Sequence, residues 1–274
     1  MTRGKKFRDA VVRTRFEAIA GEYDATVVRR RLRYNDAVDA IVGDWVAPRP
    51  DGAALDVLDA ACGTGSRWGR LATRLPTARA CGLDASRNMC ELAGRNGGFE
   101  EVVNAPLNDM PFPDARFDLV VCLFFSFCYL TSQAERRQAL REMHRVLKPG
   151  GRLVIDAINI LHRGEAAGYR RSLPGTWWDV GKSLLDPRLE AADKLYKTRH
   201  GGRRLRGYFH GFTHRTFRSL VESAGLDVDQ QLTVGYHSGE LRSRHHEGQL
   251  LVLCSRPPSR TVHALTDVKG EWSR

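Results

Sequence analysis

Residues 57 to 66 read VLDAACGTGS, an apolar run that reaches an acid at Asp59 and then breaks into Gly63 and Gly65, one residue apart. A Gly-x-Gly turn after a strand can hold a dinucleotide, a phosphate or a nucleoside without phosphate. The dinucleotide fingerprint needs a third glycine three positions on, where helix and strand meet above a pyrophosphate. That position is Trp68 here, and no lysine follows as a P-loop would require. Phosphate is therefore disfavoured. The next strand segment, ACGLDAS, ends in Asp84, about 19 residues beyond Gly65. At that separation a carboxylate can accept from both hydroxyls of a ribose, and it would repel a 2′-phosphate. A third acid, Asp109 in LNDMPFPDARFD, either accepts from an adenine amino group or is a plain turn acid.

The elements that must position these residues follow from periodicity. Apolar residues from Phe7 to about Val46 recur at helical spacing with Gly21 as an interruption, which predicts two helices. Strands are expected at 55–60, about 79–84, 101–104, 117–123 and 152–156, separated by helices at 66–75, 86–96 and 132–147. This alternation implies parallel pairing and an α/β, Rossmann-like doubly wound, mostly parallel sheet. LKPGG at 147–151 is expected to close a helix and launch a strand. Beyond it, 161–212 is rich in Arg, Gly and aromatic residues and predicts a β-hairpin about Gly201-Gly202. A helix capped by Thr213 and ended by Gly225, then two strands, complete the chain. The expected organisation is an N-terminal helical lid (1–50), a cofactor-binding core (51–160), an inserted cap (161–215), a helix and strands that complete the sheet (216–256) and a loose tail (257–274).

Bulk properties bound the function. The chain has 274 residues and a net charge of +11, much of it from arginine. Such an excess favours an anionic partner or is a solvated basic surface. The six cysteines form no C-x-x-C pair, so they read as reduced core residues of a cytoplasmic protein. The basic start lacks the apolar region of a secretory signal. The longest apolar stretch, 117–130, is too short to span a bilayer, so no membrane role is expected.

Taken together, VLDAACGTG, GLDAS, NDMPFPDARFDLVVC and LKPGGRLVID resemble, in order, the motifs of class I S-adenosylmethionine-dependent methyltransferases over roughly residues 55–160. RFEAIAGEYD resembles the N-terminal helix of many such enzymes. The resemblance implies a seven-strand sheet and S-adenosylmethionine as cofactor, with S-adenosylhomocysteine as product. Carried over, Asp59, Ala60, Gly63 and Gly65 surround the methionine part, and Asp84, Ala85 and Met89 the ribose side. Asp109 and Met110 mark adenine. Ala61 departs from the family's usual glycine. VCLFFSFCYL and LVIDAIN are further similar to glycine/sarcosine N-methyltransferase-like enzymes, which places Leu123 against the cofactor and Tyr129 and Asn159 near the substrate. That family's carboxylate-binding arginine is Ile158 here, which argues against a simple amino acid as acceptor.

A sulfonium donor is already activated, so transfer is an in-line displacement governed by alignment, which can contribute on the order of 7–11 kcal/mol. A hydroxyl or acidic carbon acceptor needs a general base, and the candidates are Tyr23, Tyr129, His210 and His214. Trp177 and Trp178 are candidates to stack a planar acceptor, or core residues of the cap. Arg206, with Arg163, Arg170, Arg171, Arg203 and Arg204, either meets an anionic acceptor or is solvated. His210 and His214 lie four apart in a strand and loop, His245-His246 in a turn, and no metal is expected. The leading expectation is a methyltransferase acting on N or O of a small molecule. Its alternatives are one acting on RNA or a peptide, and a non-catalytic cofactor-binding protein; the oligomeric state is left open.

Overall fold

The computed structural model describes residues 2–25, 31–46, 52–96, 98–164, 185–200 and 202–258. Helices α1 (Arg3–Ile19) and α2 (Leu32–Trp45) precede β1 (Leu55–Ala60), α3 (Ser66–Leu71), β2 (Ala78–Asp84), α4 (Arg87–Asn96) and β3 (Glu101–Asn104). There follow β4 (Phe117–Cys122), α5 (Gln133–Val146), β5 (Leu147–Ala157), the strands β6 (Asp193–His200) and β7 (Arg203–His210), α6 (His214–Glu222), β8 (Asp227–Val234) and β9 (Gln249–Ser255). Seven strands form one sheet in the order β3-β2-β1-β4-β5-β9-β8. β1 to β5 pair in parallel and β9 runs antiparallel to both its neighbours. The central strands are apolar on both faces because helices cover both. Val57, Leu58, Leu119, Val120, Leu153, Val154 and Leu253 are all fully buried.

One boundary differs from the expected one. β5 begins at Leu147, before the Pro-Gly-Gly, and pairs with Phe117 before its register shifts. Gly150 has φ +76° and a Cβ on Gly151 would come 2.7 Å from the Lys148 carbonyl, so the glycines allow a bulge instead of a helix stop. α3 is also shorter than expected and passes into a 3₁₀ turn at Ala72–Arg74. The Thr213 cap is present as a reciprocal box with Thr216, and Gly225 adopts φ +83°.

β6 and β7 form the expected hairpin as a separate two-stranded sheet. It is joined to α1 by buried charge. Arg8 donates to the Thr131 carbonyl at 2.8 Å and faces Glu190 at 3.3 Å and Asp193 at 3.7 Å, while Arg136 meets Glu190 at 2.6 Å. Tyr208 and His210 complete the shell around Asp193 at 2.7 and 2.8 Å. The ligand atoms of Glu190, Asp193 and His210 lie within 4.8 Å of one another, as a metal site requires. Two arginines already neutralise these acids, so the group reads as an ion-pair joint. Trp177, Trp178, Arg170 and Arg171 lie outside the described residues. Arg8→Met leaves Asp193 buried with one cation fewer and should cost about 3–5 kcal/mol, read as a lower urea midpoint.

Candidate functional site

The site is built where β1, β2 and β4 end. After β1 the chain turns through Ala61 (φ +70°), Gly63 (φ +56°) and Gly65 (φ +78°). The Ala61 and Cys62 N–H groups both donate to the Leu83 carbonyl, at 2.7 and 3.0 Å, so the turn is folded onto the end of β2. Ala61 thus holds the left-handed conformation that glycine takes freely, at a cost of roughly 1–2 kcal/mol. Gly65 serves packing: a Cβ there would meet Ala93 Cα at 3.2 Å and the Phe99 ring at 3.1 Å. Beyond it, Asp84 accepts from Gly63 N–H at 3.0 Å and from Ser86 N–H at 2.8 Å, one bond to each carboxylate oxygen. Each oxygen keeps a lone pair for a further donor, as a vicinal diol supplies.

Two adjoining cavities of about 190 and 400 Å³ open from this turn and run beneath α1. Asp59, Gly63, Asp84, Ala85, Met89 and Leu123 line the first, with Pro106 and Leu107. Its opposite wall is aromatic. Phe16 meets Tyr129 edge-on at 4.8 Å and Tyr23 at 6.4 Å, and Tyr23 meets Phe124 at 6.3 Å. Phe124 and Phe125 both have positive φ, an arrangement held by buried Asp156, which accepts from their N–H groups at 3.1 and 2.6 Å and from Tyr34 Oη at 3.1 Å. Asp24 closes the remaining side by accepting from Thr64 Oγ1 at 2.7 Å and Ser66 Oγ at 2.9 Å. The segment after α1 is thereby tied to the glycine turn.

The electrostatics single out Asp59. It is buried, no donor among the described residues bonds it, and desolvation pushes its carboxyl up to about 7, against the pull of Arg67. A cation delivered to it would restore its charge. Burial likewise raises Tyr23 to about 12 and Tyr129 further, so both present neutral hydroxyls as donors.

Several expected site residues stand elsewhere. Ala60 is buried within β1 and, like Gly65, lines neither cavity. Asp109 is exposed in a turn closed by its own N–H to the Pro106 carbonyl, and Pro106 and Leu107 face the cavity in its place. Met110 is a buried pivot whose N–H donates to Glu142 at 2.9 Å. His210 is held by Asp193, and His214 bonds Thr233 at 3.0 Å and packs its ring tilted at 4.0 Å from that of His245, its value pushed down to about 4 by burial. Asn159 is a structural clasp that donates to the His245 and Gly248 carbonyls and accepts from Leu161 N–H. Arg206 is exposed on β7 opposite Lys197. Phe16, Asp24, Thr64, Phe124 and Asp156 went unread in the sequence. An acid inside an apolar strand, as in LVIDAIN, was the one available signal.

Comparison with known proteins agrees with this geometry. Residues 57–151 match the family described as "Methyltransferase domain". Over 113 residues the chain is 39% identical to the ubiquinone/menaquinone biosynthesis C-methyltransferase of Geotalea daltonii, covering 39% of this chain and 45% of that one. A demethylmenaquinone methyltransferase of Symbiobacterium thermophilum is 28% identical over 86% of this chain and 94% of its own. The first curated relatives are matched over less than half of their length. Among solved structures, a SAM-dependent methyltransferase of Methanosarcina mazei has a TM-score of 0.60 at 17% identity, over 80% of this chain and 97% of that one. The 1,6-didemethyltoxoflavin-N1-methyltransferase of Burkholderia thailandensis, with bound S-adenosylhomocysteine, has 0.57 at 18%, over 94% and 92%. The match over residues 57–151 is to a methyltransferase domain, and the likeness to the solved structures is one of fold.

Two outcomes are expected. S-adenosylhomocysteine should bind with proton release, its affinity falling by up to about tenfold per unit as pH drops below ~7, because Asp59 must ionise to meet an ammonium. Calorimetry in two buffers measures both, and Asp59→Asn should flatten the slope. By the same linkage the raised carboxyl stabilises the unliganded fold fully only below its ordinary value of 3.8, and that contribution is lost as pH rises from there through ~7. Asp24→Ala, which unties the N-terminal segment, should raise the stopped-flow dissociation rate of S-adenosylhomocysteine about fivefold or more.

Proposed function

We propose that the chain transfers a methyl group from S-adenosylmethionine to a small, planar acceptor at an N or O atom. The observation that carries this reading is a single cavity bounded by a buried acid that no donor among the described residues bonds, a diol-ready carboxylate and a wall of four rings. The donor set fits an adenosyl amino acid. Asp59 would take the ammonium, Asp84 the ribose, and Ala85, Met89, Pro106 and Leu107 the adenine. Bound, the cofactor supplies an electrophilic methyl on a sulfonium, and a cation of that kind is stabilised by aromatic faces. Phe16, Tyr23, Phe124 and Tyr129 would surround that end, exclude water and hold a planar acceptor in line, while the two tyrosyl hydroxyls donate to its oxygen. His210 and His214 play no part in this scheme, since neither lines the cavity.

A carbon acceptor is the second reading. It is favoured by the similarity to C-methyltransferases of ubiquinone and menaquinone biosynthesis and by the aromatic and aliphatic lining of the cavity. Among the described residues no helix is long and apolar enough to cross a membrane. Transfer of labelled methyl against a panel of phenols, amines and quinols tests both readings, and the site of the label separates them. Asp84→Ala should weaken S-adenosylhomocysteine by more than tenfold in titration calorimetry; unchanged affinity would remove the ribose assignment.

A further inference from the structure

An adenosyl amino acid carries an ammonium and a carboxylate on one carbon, and Asp59 can neutralise only the first. The carboxylate needs a cation within reach of the same place. Among the described residues that line the first cavity, Arg67 is the one cation. It is the second residue after Gly65, in the first turn of α3, so the glycine turn that shapes the site also fixes where this side chain begins. Arg13, which lines the second cavity, is exposed on α1.

Arg67 is short of anions. It is 7% exposed, its Nη2 donates to Asp39 at 2.7 Å, and its Nε and Nη1 have no hydrogen-bond partner. The other oxygen of Asp39 accepts from Arg70 at 2.8 Å, and the second acid of Arg70, Asp36, is exposed at 3.2 Å. One buried carboxylate thus serves two guanidiniums, and buried charge without full compensation is costly. Asp59 does not make up the difference. Arg67 lies near enough to pull its carboxyl downward, yet the two form no ion pair. The Arg67 guanidinium stands 5.8 Å from the centroid of the Phe124 ring, which lines the same cavity. An acid without a donor and an arginine with spare donors therefore share one cavity wall unpaired, and a zwitterion is the complement of both.

We infer that Arg67 holds the carboxylate of the cofactor's amino-acid end while Asp59 holds its ammonium, so that the chain selects the intact amino-acid nucleoside over a decarboxylated one. This rests on the cofactor reading given above and deepens it. Two charges held on one carbon set the rotation of the amino-acid chain as well as its position. The sulfur then presents its methyl in one direction, and an in-line displacement gains most from that kind of alignment.

The full chain is titrated by calorimetry with S-adenosylhomocysteine and with its decarboxylated analogue, S-adenosyl-3-thiopropylamine, which keeps the adenosine, the sulfur and the amine. The wild type should prefer the intact ligand by about tenfold or more, the worth of one charge-assisted hydrogen bond. Arg67→Met should cut that preference to within about threefold and bind the decarboxylated ligand within about twofold of wild type, since only the carboxylate contact is lost. Arg67→Gln, which keeps a donor for Asp39, should do the same and carries the test if the Met variant does not fold. Asp59→Asn should weaken both ligands together and leave the preference standing, because both keep the amine. Equal affinity of the wild type for the two ligands overturns the inference, as does a preference untouched by the Arg67 variants. Loss of both ligands alike, or of the fold, in both variants marks a structural arginine and overturns it too. Failure of S-adenosylhomocysteine to bind the wild type would instead overturn the cofactor reading, and this inference with it.

Discussion

The folding of the β1 exit onto the end of β2 is the constraint on which the site depends. Two consecutive N–H groups, of Ala61 and Cys62, converge on the Leu83 carbonyl, and the next residue's N–H reaches the Asp84 carboxylate. These bonds require a left-handed bend at Ala61, which its backbone accepts only because the neighbouring parallel strand holds it there. Once the bend is set, Asp59, the Gly63 turn and Asp84 face one space. The register of β1 against β2, Asp59 opposite Gly82 and Ala60 opposite Leu83, fixes how far apart the two acids stand.

A second layer closes that space from the N-terminal side. α1 is fastened twice, by Arg8 to the Glu190 and Asp193 acids of the hairpin region and, through the segment that follows it, by Asp24 to the glycine turn. Between these fastenings Val12, Phe16 and Tyr23 make one wall of the cavity. The other wall depends on Asp156. Its carboxyl is buried, raised to about 6 by desolvation, and satisfied by two backbone N–H groups and the Tyr34 hydroxyl. Without those bonds two adjacent phenylalanines would have no reason to adopt positive φ, and Phe124 would not face Tyr23. A charged group with no contact to the cavity thus shapes its surface.

Charge is used unevenly across the molecule. The exposed cations of the hairpin, Lys197 opposite Arg206 and Arg199 opposite Arg204, stand in like-charged pairs on one face, a mildly destabilising arrangement that solvent screens. Buried charge is treated otherwise: at Arg8, Arg67 and Arg136 each guanidinium meets a carboxylate. Against that pattern the carboxyl of Asp59, which no donor among the described residues bonds, stands out on the cavity wall.

The sequence by itself determined the parallel core, because apolar runs alternating with amphipathic helices can be buried only as strands covered on both faces. It also determined the pair Gly63 and Asp84, whose separation is the length of one strand–helix–strand unit. Spacing could not assign Asp109, since which residue of a turn faces inward depends on the path between β3 and β4; that path turns Pro106 and Leu107 inward and leaves Asp109 in water. Nor could it judge His210 and His214, whose neighbours Asp193 and Thr233 arrive from distant strands. Only the tertiary structure decided that Asp24 and Asp156 matter. Each acts on groups brought near by the sheet and the first helix, and burial, the property that gives their charges consequence, is absent from any local stretch of chain.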